Sequence, residues 1–418
     1  MQTAPKSMRL QIGIFGRTNV GKSSFLNLIT NQDISIVSSL PGTTTDVVEK
    51  VMEFLPVGPV VFLDTAGIDD VSKLSSERMK KTGAVFSRAD VFVLITENGV
   101  WGDYEETLRK EAVKRNAPVI IVINKTDEKP ADSCFVEQMR KKSSYVMTSS
   151  CVDIPQAETV RRTFRDVLAS CVPEEFLQPP ALVGDLLPSG GLAVLIVPID
   201  LQAPKGRLIL PQVQTIRDAL DNDATVLVVK EREYAAALTM LSRKPDIVIC
   251  DSQVVLKMTA DTPDDVACTT FSILFARFKG DLVEAARGAA AMEKLKKGDR
   301  ILIAEACSHH AAEDDIGRVK IPRWLRQYTG LDLKIDVCSG RDYPSDLEKY
   351  SLVIHCGACM LTRREMLARS GSAAARNVPI TNYGVAISCL QGVIRRVLKP
   401  FPAAYDAFCS EEETISQC

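Results

Sequence analysis

Cys307-Ser308-His309-His310 and His355-Cys356-Gly357-Ala358-Cys359 gather all three histidines of the chain and three of its twelve cysteines into two short segments. Thiolate and imidazole are ligands of soft and borderline metals, so this donor set suits zinc or an iron–sulfur cluster. Three cysteines and a histidine would close a tetrahedral zinc site. Three thiolates with no fixed fourth partner would leave one iron of a cluster with an exchangeable position. His309, His310 and His355 are candidates for the fourth ligand, for donors behind the ligands or for plain loop residues. Cys338 is a rival fourth ligand.

A second chemistry sits near the other end. Gly16-Arg17-Thr18-Asn19-Val20-Gly21-Lys22-Ser23 fits the phosphate-loop pattern G-x-x-x-x-G-K-S, between an apolar run and a helical stretch. Backbone N–H groups from Gly16 through Ser24 would wrap the phosphates, and the helix N-terminus adds its positive end. Lys22 would reach the β- and γ-phosphates, and Ser23 would hold Mg²⁺. In Asp64-Thr65-Ala66-Gly67, Asp64 would hold the same Mg²⁺ through water and the Gly67 N–H would sense the γ-phosphate. Thr44, within Gly42-Thr43-Thr44-Thr45-Asp46, takes the switch-loop position beside the metal. Lys22, Thr44, Asp64 and Gly67 form the expected catalytic set. Asn124-Lys125-Thr126-Asp127 ends an apolar strand, and Asp127 is the base selector. Its carboxylate can accept from guanine N1–H and the 2-amino group; adenine would leave it unpaired at a cost on the order of kilocalories. Ser149 and Ser150 would back the base. The set specifies GTP and GDP rather than ATP. Ile68 stands where many small GTPases place a water-orienting glutamine, so hydrolysis is arranged otherwise.

These residues need elements to position them. Between residues 9 and 172, short apolar runs alternate with helical stretches, the rhythm of a parallel α/β sheet. The expected strands are 10–15, 60–63, 90–96, 118–123 and 144–148. Prolines and glycines over 173–190 mark a linker. Residues 191–261 read as a small βαβαβ unit whose exposed sheet edge would pair with a second copy, making a homodimer. Residues 262–410 read as a further α/β unit carrying the Cys/His segments, with strands at 300–306, 333–337 and 352–355 and helices at 282–295 and 360–369. If the strands ahead of Cys307 and Cys356 are parallel members of one sheet, both segments meet at its carboxyl edge. Cys359 would then lie in the first turn of a helix.

Bulk properties exclude several classes. A net charge of −2 offers no basic field for nucleic acid. No uncharged apolar run nears 18 residues and no secretory leader is visible, so a cytoplasmic protein without a membrane span is expected. A disulfide framework is excluded by the same compartment.

Two resemblances sharpen these expectations. Asn19 resembles the asparagine with which potassium-activated GTPases of the tRNA-modifying TrmE group hold a K⁺ against the phosphates. Cys307-x-His309 followed by His355-Cys356-x-x-Cys359, behind a GTPase domain, resembles the FeFe-hydrogenase maturation GTPases of the HydF family. The segment from Gln202 to Gln212 is similar to that family too. The resemblance implies a P-loop GTPase domain, a dimerisation domain and a domain binding a 4Fe–4S cluster through Cys307, Cys356 and Cys359. It further implies a scaffold and carrier for the transient two-iron subcluster precursor. That unit would be built with two radical-SAM maturases and handed to apo FeFe-hydrogenase. Thr45 departs from the related tRNA-modifying GTPases, whose switch loop has arginine there. The competing readings are a TrmE-like tRNA-modifying GTPase, against which no folate-type domain precedes the nucleotide motifs, and a zinc-stabilised assembly GTPase, whose basic surface is missing.

Overall fold

The strand β1 (Leu10–Gly16) is buried along its whole length. A run with no polar alternation must have both faces covered, which is the condition of a parallel strand between helices. The computed structural model in which it lies describes residues 9–31, 48–55, 57–64, 85–86, 88–152, 154–172, 176, 180–198, 208–306, 315–340, 343–344, 346–359 and 361–416. The chain divides into two compact units, Met1–Pro179 and Pro180–Cys418.

In the first unit β1 is joined by β2 (Val48–Phe54), β3 (Gly58–Asp64), β4 (Val91–Glu97), β5 (Val119–Asn124) and β6 (Tyr145–Thr148). The sheet order is β2-β3-β1-β4-β5-β6. Only the β2–β3 pair is antiparallel. Side chains alternate between the two faces. Ile12, Ile14, Val93 and Ile95 pack with Phe25 of helix Lys22–Thr30 and Phe164 of helix Ala157–Cys171, whose rings meet edge to face at 5.5 Å. Phe15, Phe92, Leu94 and Ile121 pack on the other face with Leu108 of helix Asp103–Lys114 and Phe135 of helix Ser133–Arg140. The five expected strands are found. β2 was not expected, because Glu49, Lys50 and Glu53 interrupt its apolar residues, as suits an edge strand with one wet face.

The second unit holds two four-stranded sheets, and every pairing in them is parallel. One has the order β10-β9-β7-β8, built from β7 (Leu192–Ile196), β8 (Thr225–Val229), β9 (Ile247–Cys250) and β10 (Ala267–Thr270). The other has the order β12-β11-β13-β14, built from β11 (Arg300–Glu305), β12 (Lys334–Ser339), β13 (Leu352–His355) and β14 (Ile380–Asn382). One hydrophobic core runs through both, from Leu182 to Phe408, and a second, with Leu302, Val353 and Met366, covers the other face of the β11–β14 sheet. β10 adds a fourth strand to the expected βαβαβ unit, beyond residue 261 where that unit was expected to close. β10 and β14 are four and three residues long, too short to show a period.

Two helices bridge the sheets. Thr270 Oγ1 accepts the Ile273 N–H at the start of helix Phe271–Lys279. Asp281 Oδ1 accepts the N–H groups of Val283 and Glu284 at the start of helix Leu282–Ala290. These caps let two helices follow each other across Gly280. The expected helix over 282–295 is helical only to Ala290 and then tightens to a 3₁₀ turn through Lys294. Among the described residues no helix is long and apolar enough to cross a membrane.

The helix expected over 360–369 instead runs Arg363–Ala374. Thr362 stops it from starting earlier: its Oγ1 accepts the Glu365 N–H at 3.2 Å, and Glu365 Oε2 accepts the Thr362 N–H at 3.1 Å. This capping box was legible as Thr362-x-x-Glu365. Cys359 therefore lies ahead of the helix and outside its first turn, which removes the helix dipole as the main influence on that thiol.

Helix Leu282–Ala290 approaches β14 so closely that a Cβ on Gly288 would overlap the backbone carbonyl of Ile380. Gly288→Ala should destabilise the second unit by about 1–3 kcal/mol through a forced shift of rigid backbone. Urea denaturation followed by circular dichroism measures this, and an unchanged midpoint would contradict the close approach.

Candidate functional site

The phosphate loop leaves the end of β1 and enters helix Lys22–Thr30 through two left-handed residues, Asn19 (φ 64°) and Gly21 (φ 94°). A side chain on Gly21 would run into the Asn124 amide, so both the φ value and the space require glycine. No acidic residue occupies the helix's first turn, which leaves its positive end open to an anion. Lys22 is buried, and its Nζ donates to the carbonyls of Gly16 at 2.9 Å and Arg17 at 2.8 Å. Ser23 Oγ donates to Asp64 Oδ2 at 3.4 Å. The two expected Mg²⁺ partners, 41 positions apart, therefore meet beside the loop. Ser24 is exposed in the same turn. Thr44, Gly67 and Ile68 lie outside the described residues.

The base side is assembled at the ends of β5 and β6. Asn124 is buried, and its Nδ2 donates to the Val20 carbonyl at 2.9 Å, tying the base motif to the phosphate loop. Lys125 takes a left-handed φ of 59° and pairs with Glu97 at 2.7 Å; that hydrogen bond raises the lysine's pKa. Thr126 N–H donates to the Ser149 carbonyl at 3.2 Å, and Ser150 Oγ donates to Asp127 Oδ1 at 2.7 Å. Ser149 and Ser150 are buried. Through these bonds they fix the Thr126–Asp127 segment and the Asp127 carboxylate.

Two contributors were not expected. Arg17 Nε and Nη2 form a bidentate pair with Glu105 at 2.6 and 2.8 Å. Glu105 has 0% exposure and also accepts the Gly102 N–H at 2.9 Å. Burial alone would raise this carboxyl's pKa; Arg17 and the N–H groups outweigh it and hold the pKa below the usual value. The pair anchors the start of the phosphate loop to helix Asp103–Lys114. Its sequence separation of 88 gave no signal, and Glu105 reads as an ordinary first-turn acid. The second is Cys151, whose Sγ donates to Asn124 Oδ1 at 3.3 Å and whose pKa is raised by burial.

In the second unit the expected meeting of strands is present. β11 and β13 pair in parallel, with Ala304 opposite His355, and β12 flanks β11 with Cys338 opposite Ala304. Cys307, His309 and His310 lie outside the described residues, immediately after the β11 end. Cys356 N–H donates to the Ala304 carbonyl at 2.9 Å, and Cys356 Sγ accepts the Ala306 N–H at 3.0 Å. The residue before Cys307 therefore touches the sulfur of Cys356. Among the described residues no three His, Cys, Asp or Glu side chains gather as a metal site. The two described thiols, Cys356 and Cys359, fit a thiolate-bound metal. They are not in disulfides, both are half-buried, and the Cys356 sulfur accepts a backbone N–H as metal-bound thiolates do.

His355 is fully buried. Arg369 Nη1 lies 3.0 Å from its Nε2, and the Cys356 carbonyl lies 2.9 Å from its Nδ1. Arginine can only donate, so Nε2 is the acceptor and Nδ1 carries the proton that the carbonyl accepts. Burial lowers this imidazole's pKa to about 4, with Arg369 adding to the effect, so the ring is neutral near pH 7. Arg369 also donates to the Gly340 carbonyl at 2.7 Å and stacks on the Tyr343 ring. A third unexpected residue, Lys279, is buried beneath the Cys356–Leu361 loop. Burial lowers its pKa to about 8, against the opposing pull of Cys359, Glu365 and Cys356.

Glu105→Ala should weaken GDP binding roughly tenfold by loosening the phosphate loop, the scale of one lost charged hydrogen-bond pair. Titration with a fluorescent GDP analogue measures it, and an unchanged Kd would contradict the anchoring role of Arg17.

Three stretches of the chain match known families. Residues 11–125 match the family model described as "50S ribosome-binding GTPase". Residues 182–280 match "Hydrogen maturase F dimerization domain", and residues 283–400 match "Hydrogen maturase F tetramerization domain". A tRNA modification GTPase MnmE of Synechococcus sp. (strain JA-3-3Ab) is 44% identical over 128 residues, 29% of this chain and 27% of the relative. A GTPase Der of Deinococcus deserti is 37% identical over 131 residues, 31% of this chain and 30% of the relative. The chain thus spans less than a third of these curated relatives. The solved structure of an Aquifex aeolicus Era variant bound to GDP·AlF₄⁻ aligns with a TM-score of 0.32 and 20% identity, over 56% of this chain and 98% of that one. The GTPase domain is of the kind shared by the MnmE and Der proteins, and the two sheets behind it match the two maturase modules in order. The chain belongs to the hydrogen maturase F (HydF) family.

Proposed function

We propose that this chain is a GTP-hydrolysing scaffold and carrier in FeFe-hydrogenase maturation. It holds a 4Fe–4S cluster on Cys307, Cys356 and Cys359 and delivers the two-iron subcluster precursor to apo-hydrogenase after exchange with two radical-SAM maturases. The observation that carries the cluster assignment is the parallel pairing of β11 with β13, which ends one strand just before Cys307 and the other just before Cys356. Membership of the maturase family supplies the biological setting. The likeness to tRNA modification GTPases is confined to the nucleotide domain, so it supports the nucleotide chemistry and not a tRNA substrate.

GTP is bound with its phosphates on the loop from Gly16 to Ser24, Mg²⁺ on Ser23, Thr44 and Asp64, and guanine on Asp127. Asn19 is the K⁺ ligand. When bound, the cluster supplies a metal edge to which an incoming iron unit can attach. His309 remains the candidate for its fourth, exchangeable position. His355, with both nitrogens engaged by Arg369 and Cys356, is better suited to bracing the rim than to ligating iron. Self-association through the two maturase modules, as a homodimer or a higher assembly, fits their descriptions.

Anaerobically purified full chain should contain about four irons and as many labile sulfides per protomer, the stoichiometry of one cubane. Each of Cys307→Ala, Cys356→Ala and Cys359→Ala should lose that iron while GTP hydrolysis stays within twofold of the parent. Zinc without iron, or full iron in any of the three variants, would overturn the cluster assignment.

Potassium dependence separates the role of Asn19 from GTP binding itself. GTP hydrolysis should be several-fold faster in KCl than in NaCl at equal ionic strength, with a K⁺ standing where other GTPases use an arginine finger. Equal rates would remove the K⁺ proposal and leave the nucleotide assignment intact.

A further inference from the structure

Lys279 ends helix Phe271–Lys279, the last helix within the dimerisation module, yet its side chain serves the loop that carries two candidate cluster ligands. Its relative exposure is 1%. Its Nζ donates to the carbonyls of Ala358 at 3.2 Å, Cys359 at 3.2 Å and Leu361 at 2.9 Å. Three carbonyl acceptors require three N–H donors, and only the ammonium form has them. The loop it holds is not otherwise relaxed. Ala358 takes a left-handed φ of 52°, uncommon for a residue with a Cβ, and persists there only where surroundings fix it. A neighbouring contact runs the same way, since Arg363 Nη1 donates to the Phe278 carbonyl at 2.5 Å. At the other end of the helix, Asn382 Nδ2 donates to the Ser272 carbonyl at 2.8 Å, and Gly384 N–H donates to Ser272 Oγ at 3.1 Å. The helix is thus tied at both ends to the sheet that carries the thiols.

We infer that Lys279 is the positioning residue of the thiol rim: its buried ammonium, held by three loop carbonyls, fixes the Cys356–Leu361 loop and places a positive charge beneath the thiolates. Two consequences follow from the chemistry. The ammonium orders the loop before any metal arrives, because its three acceptors are backbone carbonyls and not the metal. A fixed cation also favours whichever cluster redox state carries more negative charge, which is the reduced one, and so raises the midpoint potential.

The second consequence rests on the cluster reading of the site; the first does not. The test uses the full chain under anaerobic conditions, as parent, Lys279→Met and Lys279→Gln. Methionine approximates the volume without charge or donors, and glutamine keeps two N–H donors without the charge. In metal-free protein, amide hydrogen exchange of residues 356–362 should be at least tenfold faster in Lys279→Met, with exchange of helix Leu282–Ala290 unchanged as the measure of general stability. In iron-loaded protein, both variants should show a lower midpoint potential than the parent, and Lys279→Met should lose iron faster to a chelator. If Lys279→Met does not fold, the potential of Lys279→Gln decides. Loop exchange unchanged in Lys279→Met, exchange raised equally in the control helix, or an unaltered potential in Lys279→Gln would overturn the positioning role. A parent chain that takes up no iron would instead remove the cluster reading, and the metal-free exchange would then decide on Lys279 alone.

Discussion

Parallel pairing is the constraint on which both candidate sites depend. A parallel strand must be followed by a crossover, the crossovers bury both faces of the sheet, and side chains on those faces are committed to packing. What remains available for chemistry is the carboxyl rim, where strands end and backbone groups are freed. β1, β3 and β5 deliver the phosphate loop, Asp64 and Asn124 to one such rim, and β11 and β13 deliver the Cys/His segments to another. One topological rule thus places the phosphate loop and the candidate thiol site within a single chain.

Each rim is held together by polar contacts that reach beyond any one motif. On the nucleotide side these are the Arg17–Glu105 pair and the bond from Asn124 to the Val20 carbonyl. On the thiol side they are Lys279 under its three carbonyls and the row from Tyr343 and Arg369 to His355. Burying an unpaired charge costs on the order of several kcal/mol, so such groups persist only where their partners are fully supplied. The cost selects geometry: Glu105 has one place to go once Arg17 and the Gly102 N–H are fixed, and Lys279 has one once the loop carbonyls converge.

The legible part of the chain was the part written in short range. The phosphate loop, the Asn124–Asp127 motif and the long apolar strands could be read because each is a local pattern with a local cause. The parallel meeting of β11 and β13 was inferable from two strands that end just ahead of the Cys/His segments. What stayed hidden was long range or too short to have a period. Arg17 and Glu105 are 88 positions apart, and Lys279 lies 80 positions from Cys359. β10 and β14 are too brief to announce themselves, and β2 alternates poorly because it is an edge. The late start of helix Arg363–Ala374 was a misjudged boundary, since the Thr362/Glu365 box was present and outweighed the apolar run before it.

The joining of a guanine-nucleotide site to an iron cluster in one chain is tested most directly by anomalous diffraction from crystals grown without oxygen, recorded on both sides of the iron and zinc absorption edges. The expected result is an iron-edge peak within bonding distance of the sulfurs of Cys307, Cys356 and Cys359, with nothing at the zinc edge. A zinc-edge peak at that rim, or an iron peak bonded to other residues, would contradict it.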